Sequence, residues 1–126
     1  MTNEFRVMVT GSRDWDDERK ILSALLLAEY ALAWGVSASF TLVTGRCPTG
    51  ADALAEAMAL ERGWTIDPYP ADWERYGKPA GPIRNKEMVD TGPDVVIAFQ
   101  RDNSKGTDNA VKLARAALIP VFLWSA

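Results

Sequence analysis

Two short runs carry residue types and spacings suited to holding an anion. In the first, Leu42-Val43-Thr44-Gly45-Arg46-Cys47-Pro48-Thr49-Gly50-Ala51-Asp52, an apolar segment stops at a glycine. A small Gly/Pro-bearing turn follows, and a helical pattern then starts. A strand–tight loop–helix junction aims unpaired backbone N–H groups and the positive end of the helix dipole into the loop, where a phosphate is the natural guest. Gly45 and Gly50 have the spacing of half a Walker A loop, but Ala51-Asp52 stands where Lys-Ser/Thr is needed. No lysine then reaches the terminal phosphates and no hydroxyl the magnesium, which argues against an ATP- or GTP-hydrolysing P-loop. In the second run, Gly106-Thr107 opens a later helix, with Ser104 and Thr107 as phosphate donors or simple caps.

Arg13 and Arg84 are the cations expected at such a site. Arg84 reads as falling in the first turn of a helix, where a cation opposes the dipole and calls for something anionic nearby. Lys86 reads more readily as a solvated surface charge. Asp52 has two readings: partner of Thr49 in a capping box, or a functional carboxylate that binds a ribose hydroxyl or acts as a general base. Trp73 and Tyr76, in a polar loop, stack on a base, act as a lid or pack beneath the loop. Cys47 reads as structural, because the Cys-x5-Arg phosphatase pattern fails at Ala53.

Composition narrows the chemistry. The 126 residues, 48% hydrophobic and 25% charged, suit one globular domain over 1–126. There is no histidine and a single cysteine. That excludes a Ser-His-Asp triad, a Cys-His pair, a usual zinc site and an internal disulfide framework. No metal and no cofactor is implied. A net charge of -3 argues against a nucleic-acid-gripping surface. No apolar run is long enough to span a membrane, and the N-terminus lacks signal-peptide character, so the cytosol is the expected compartment.

The elements that must position these residues alternate. Strands are expected at 5–10, 40–44, 64–69, 94–99 and 119–124. Helices are expected at 14–34, 51–62, 81–90 and 107–117, with a long loop over 70–80. Asp14 and Asp17 resemble a capping pair at the start of the first helix. Ile21, Leu25, Ala28 and Leu32 form its apolar stripe. Leu22, Leu26 and Trp34 widen that stripe, as in a deeply buried helix or a homodimer interface. Strict alternation with apolar strands predicts an α/β, Rossmann-like three-layer sandwich around a five-stranded, mostly parallel sheet. The chemically unusual loops all leave strand carboxyl ends and should gather along one edge.

Taken together, Gly11-Ser12-Arg13, Gly45-x-Cys47-Pro48-Thr49-Gly50-Ala51-Asp52, Gly81-Pro82-Ile83-Arg84-Asn85 and Gly106-Thr107 resemble the SLOG superfamily, and more closely its small YspA-type (cpYpsA-related) members of actinobacteria and their phages. The resemblance implies a Rossmann-like fold that binds nucleotides or nucleotide-derived ligands. Lonely guy phosphoribohydrolases and DNA-processing protein A are more distant relatives. Arg84-Asn85-Lys86-Glu87-Met88 is similar to the arginine segment of the Lonely guy enzymes, and Gly106-Thr107 to the GT of their PGGxGTxxE motif. Ala110, however, stands at the position of the catalytic Glu.

These readings converge on a protein that binds or senses a nucleotide-related ligand. Gly11, Ser12, Arg13, Gly45, Arg46, Thr49, Gly50, Asp52, Trp73, Arg84, Asn85, Gly106 and Thr107 are the expected ligand-binding residues. The alternative is an N-glycosidic hydrolase of nucleoside monophosphates, with Arg84 and either Asp52 or Asp108 as its machinery. A DNA-binding accessory role is the weakest reading.

Overall fold

The computed structural model describes residues 2–126. Five strands, β1 (Asn3–Gly11), β2 (Ala38–Thr44), β3 (Thr65–Pro68), β4 (Val95–Gln100) and β5 (Val121–Ser125), form one sheet in the order β3-β2-β1-β4-β5. Every pairing is parallel, with Val7 opposite both Leu42 and Val95. The helices are α1 (Glu18–Leu32), α2 (Gly50–Glu61), α3 (Trp73–Tyr76), α4 (Ala80–Asp90) and α5 (Lys105–Ala116). This is the expected Rossmann-like sandwich.

Side-chain alternation along the central strands builds two cores. Val7, Val9, Leu42, Val95, Ile97 and Phe99 pack against Ile21, Leu25 and Ala28 of α1 and against Ala51, Ala55 and Ala59 of α2. The small residues of α2 let it lie close to the sheet. Met8, Val43 and Val96 face the other way, against Met88 and Val89 of α4 and Ala110 and Ala114 of α5. β4 is buried on both faces, as its continuous apolar run requires.

Several boundaries differ from expectation for local reasons. α1 starts at Glu18, not Asp14. Trp15 turns into the core instead, its ring centroid 5.3 Å from that of Phe99 at a tilt of 57°, and the Asp17 carboxylate caps the helix by accepting from the Lys20 N–H at 3.2 Å. The long loop contains the single-turn helix α3, capped by Asp72 through the Arg75 N–H. α5 begins two residues early because Ser104, not Gly106-Thr107, occupies its cap. α1 is not deeply buried all round. Leu22, Leu26 and Trp34 are 39%, 41% and 70% exposed. No helix among the described residues is long and apolar enough to cross a membrane.

Candidate functional site

The strand order reverses between β1 and β4, the place where open α/β sheets form a crevice beyond their strand ends. A cavity of about 220 Å³ lies there. β1 contributes Thr10 and Gly11, the β4–α5 turn Ser104, and the first turn of α5 Lys105, Gly106 and Thr107. Gly81, Pro82, Arg84 and Asn85 come from α4, Asn109 from α5 and Trp73 from α3. None of these lining residues is a carboxylate. Six of the expected binding residues therefore meet at one cavity: Gly11, Trp73, Arg84, Asn85, Gly106 and Thr107.

The start of α5 supplies donors. Ser104 accepts from the Thr107 N–H through its hydroxyl at 3.4 Å and from the Asp108 N–H through its carbonyl at 3.0 Å. The N–H groups of Lys105 and Gly106, the first two of the helix, have no intrahelical acceptor. The buried Thr107 hydroxyl is engaged with Ser104 at 3.0 Å, so it belongs to the cap. Trp73 is half-exposed, with the Arg13 guanidinium 5.8 Å from its ring centroid.

Arg84 lies in the second turn of α4, not the first, so the helix dipole is not what its charge answers. Its Nη1 donates to the Gly45 carbonyl at 2.7 Å and its Nε to Asn85 Oδ1 at 2.9 Å. Asn85 in turn donates through Nδ2 to the Gly106 carbonyl at 3.3 Å and to Asn109 Oδ1 at 3.0 Å. One arginine thus ties the β2–α2 loop to the cavity wall. Burial pulls the Arg84 pKa below its ordinary value, opposed by the nearby Asp52 charge.

The β2–α2 loop is folded on itself beside the cavity. Its Arg46 N–H donates to Thr44 Oγ1 at 3.1 Å, its Cys47 N–H to Asp52 Oδ2 at 3.2 Å, and the Ala51 N–H to the Ser12 carbonyl at 3.2 Å. The expected Thr49–Asp52 capping box does not form: Thr49 donates its hydroxyl to the Arg13 carbonyl at 2.9 Å, and Asp52 serves Cys47 instead. Gly50 has φ +73°, and a Cβ there would overlap the Ser12 carbonyl oxygen. At Gly45 a Cβ would overlap the Arg84 guanidinium. Burial pushes the Asp52 pKa up to about 6, with the Cys47 N–H, Arg84 and Arg13 pulling it back and Glu56 adding to the rise.

Ser12, Arg13, Gly45, Arg46, Thr49, Gly50 and Asp52 are not among the residues that line the cavity. Arg46 pairs with Glu56 through Nε and Nη2, both at 3.1 Å. Ser12 exchanges hydrogen bonds with the backbone of Arg101. The candidate carboxylate Asp108 is exposed, accepting from Gln100 Nε2 at 2.8 Å, and Ala110 is wholly buried in the core. Among the described residues no cluster of three or more His, Cys, Asp or Glu is placed to hold a metal. Sequence reasoning missed Thr10, Lys105 and Asn109. Asn109 carried a signal, since it lies three residues beyond Gly106 on one helix face.

A model of the YspA, cpYpsA-related SLOG family matches residues 5–76. The chain is similar to the gene 61 protein of Mycobacterium phage D29, with 37% identity over 121 residues, covering 92% of this chain and 93% of that protein. No solved structure matches.

Proposed function

The chain belongs to the YspA, cpYpsA-related SLOG family, and from that premise we propose that it binds or senses a nucleotide or nucleotide-derived ligand in the cavity between β1 and β4. The observation that carries this reading is the lining: a crevice at the strand-order reversal that offers backbone and side-chain donors, one tryptophan and no carboxylate. The ligand's phosphate lies at the start of α5, near the Lys105 and Gly106 N–H groups, and its base lies against Trp73. Arg84 holds the wall that the phosphate meets. Gly45 through Asp52 supports that wall, and Arg13 adds positive charge at the rim. The reading includes a cytoplasmic setting and a homodimer formed through the exposed apolar half of α1.

The hydrolase reading needs a carboxylate against the glycosidic carbon to stabilise the oxocarbenium-like ribose. Asp52 and Asp108, the side chains nominated for that task, are not among the lining residues.

The test is one incubation series. Purified protein meets nucleoside monophosphates, NAD, ADP-ribose and cyclic dinucleotides, read by thermal shift and by chromatography of the products. A stabilising compound recovered intact, with affinity reduced about a hundredfold in Arg84→Ala, supports the reading. Release of free base identifies a hydrolase instead. No shift with any compound, or undiminished affinity in Arg84→Ala, overturns the assigned site.

A further inference from the structure

The hydrogen bonds from α4 to α5 have a direction, and it fixes what the cavity wall presents. Arginine carries donors only, so the bond from Arg84 Nε must end on the oxygen of the Asn85 amide. That leaves Asn85 Nδ2 facing α5, where it needs acceptors and finds two, the Gly106 carbonyl and Asn109 Oδ1. The Asn109 oxygen is thereby occupied. Asn85 is buried, so no solvent competes to flip its amide. Asn109, which is partly exposed and lines the cavity, keeps both N–H groups of its amide for other partners.

We propose that Asn109 is a specificity-determining residue of this site: its amide, locked by the Arg84–Asn85 chain, presents a donor that selects a ligand group able only to accept, namely a phosphate. The proposal rests on the binding reading above and adds to it a residue and a polarity. A hydroxyl can turn to meet either end of an amide, whereas an ionised phosphate oxygen meets only the donor end. Asn85 is the positioning residue in this scheme, since it sets the orientation of Asn109 without being the group that reads the ligand.

The experiment compares a 5′-nucleoside monophosphate with its uncharged nucleoside by isothermal titration calorimetry. Asn109→Asp keeps the shape and still accepts from Asn85 Nδ2, but turns a carboxylate oxygen toward the cavity. The expected result is at least a tenfold loss of monophosphate affinity, with nucleoside affinity within about twofold of the wild type. Asn109→Ala, which removes the donor without adding charge, is expected to lose less than Asn109→Asp on the same phosphate-to-nucleoside ratio. Asn85→Asp turns an acceptor toward α5, so the Asn109 amide flips. It is expected to lower that ratio too, and to lower it no further when combined with Asn109→Ala, whereas a carboxylate repelling the phosphate directly would lower it again. Equal losses for monophosphate and nucleoside, or unchanged monophosphate affinity in Asn109→Asp, overturn the assignment while wild-type binding still stands. A wild type that binds neither compound overturns the assignment of a terminal phosphate to Asn109, while the site itself stands or falls with the wider panel of nucleotides above.

Discussion

Two strand–loop–helix junctions point toward the same edge of the sheet, and they are used in opposite ways. The β2–α2 junction carries the more phosphate-like sequence, Gly45 to Gly50. Yet its N–H groups at Arg46, Cys47 and Ala51 are bonded to Thr44, Asp52 and Ser12. The β4–α5 junction has a plainer sequence, Gln100 to Gly106, and leaves its first two helical N–H groups without an intrahelical acceptor at a cavity. The first works as a clasp between loops and the second as an open cradle. Glycine spacing alone does not separate the two. What separates them is where the neighbouring loop falls, and β1 brings the Ser12 carbonyl to α2 rather than to α5.

Three substitutions sharpen that contrast. The largest effect is expected at the clasp. Gly50→Val forces a branched residue into a left-handed backbone conformation and drives its Cβ into the Ser12 and Arg13 backbone. A loss of about 3 kcal/mol is expected by urea denaturation. A loss near zero would mean the loops are not clasped.

Asp52→Asn also acts on the clasp, in the other direction. The folded pKa of Asp52, about 6, lies above its ordinary value of 3.8, so between those values the native state holds the proton more tightly than the unfolded chain does. The stability this contributes is complete below about pH 4 and is lost as pH rises through about 6. Asp52→Asn should therefore be more stable than the wild type by about 3 kcal/mol at pH 7.5 and equal to it near pH 4. A constant difference across that range would remove burial as the cause.

The smallest effect is expected at the cradle. Trp73→Ala removes a half-exposed ring, so it should cost ligand affinity about tenfold while moving the thermal midpoint by only a degree or two. A large stability loss with affinity intact would make Trp73 a packing residue.

Much of the fold was legible because its signals are local. β4 reads as a buried strand from Val95 to Phe99, and alternation of strands with helices leaves few topologies. The gathering of Gly11, Arg84 and Gly106 at one edge followed from that topology. Missed features depended on distant partners. The α1 start shifted because Trp15 found Phe99 on the neighbouring strand β4. The Thr49–Asp52 box gave way because the Arg13 carbonyl and the Cys47 N–H were better placed partners. Asn109 was passed over because its amide acquires meaning only through Arg84 and Asn85, which lie on another helix.

The register of the sheet also dictates an order of events as the chain is made. β1 is synthesised first and lies at the centre, pairing on one side with β2 and on the other with β4, so Val7 waits for Val95. During synthesis the chain is threaded out at about 5–20 residues per second, and pairings this distant in sequence are slow to close. Until β4 has emerged, one edge of an apolar central strand stands bare, open to a neighbouring nascent chain. Slowing translation before β4 is made, or raising the crowding of ribosomes, should therefore lower soluble yield through that edge, while in the finished protein β1 is paired on both sides and only β3 and β5 remain as edges.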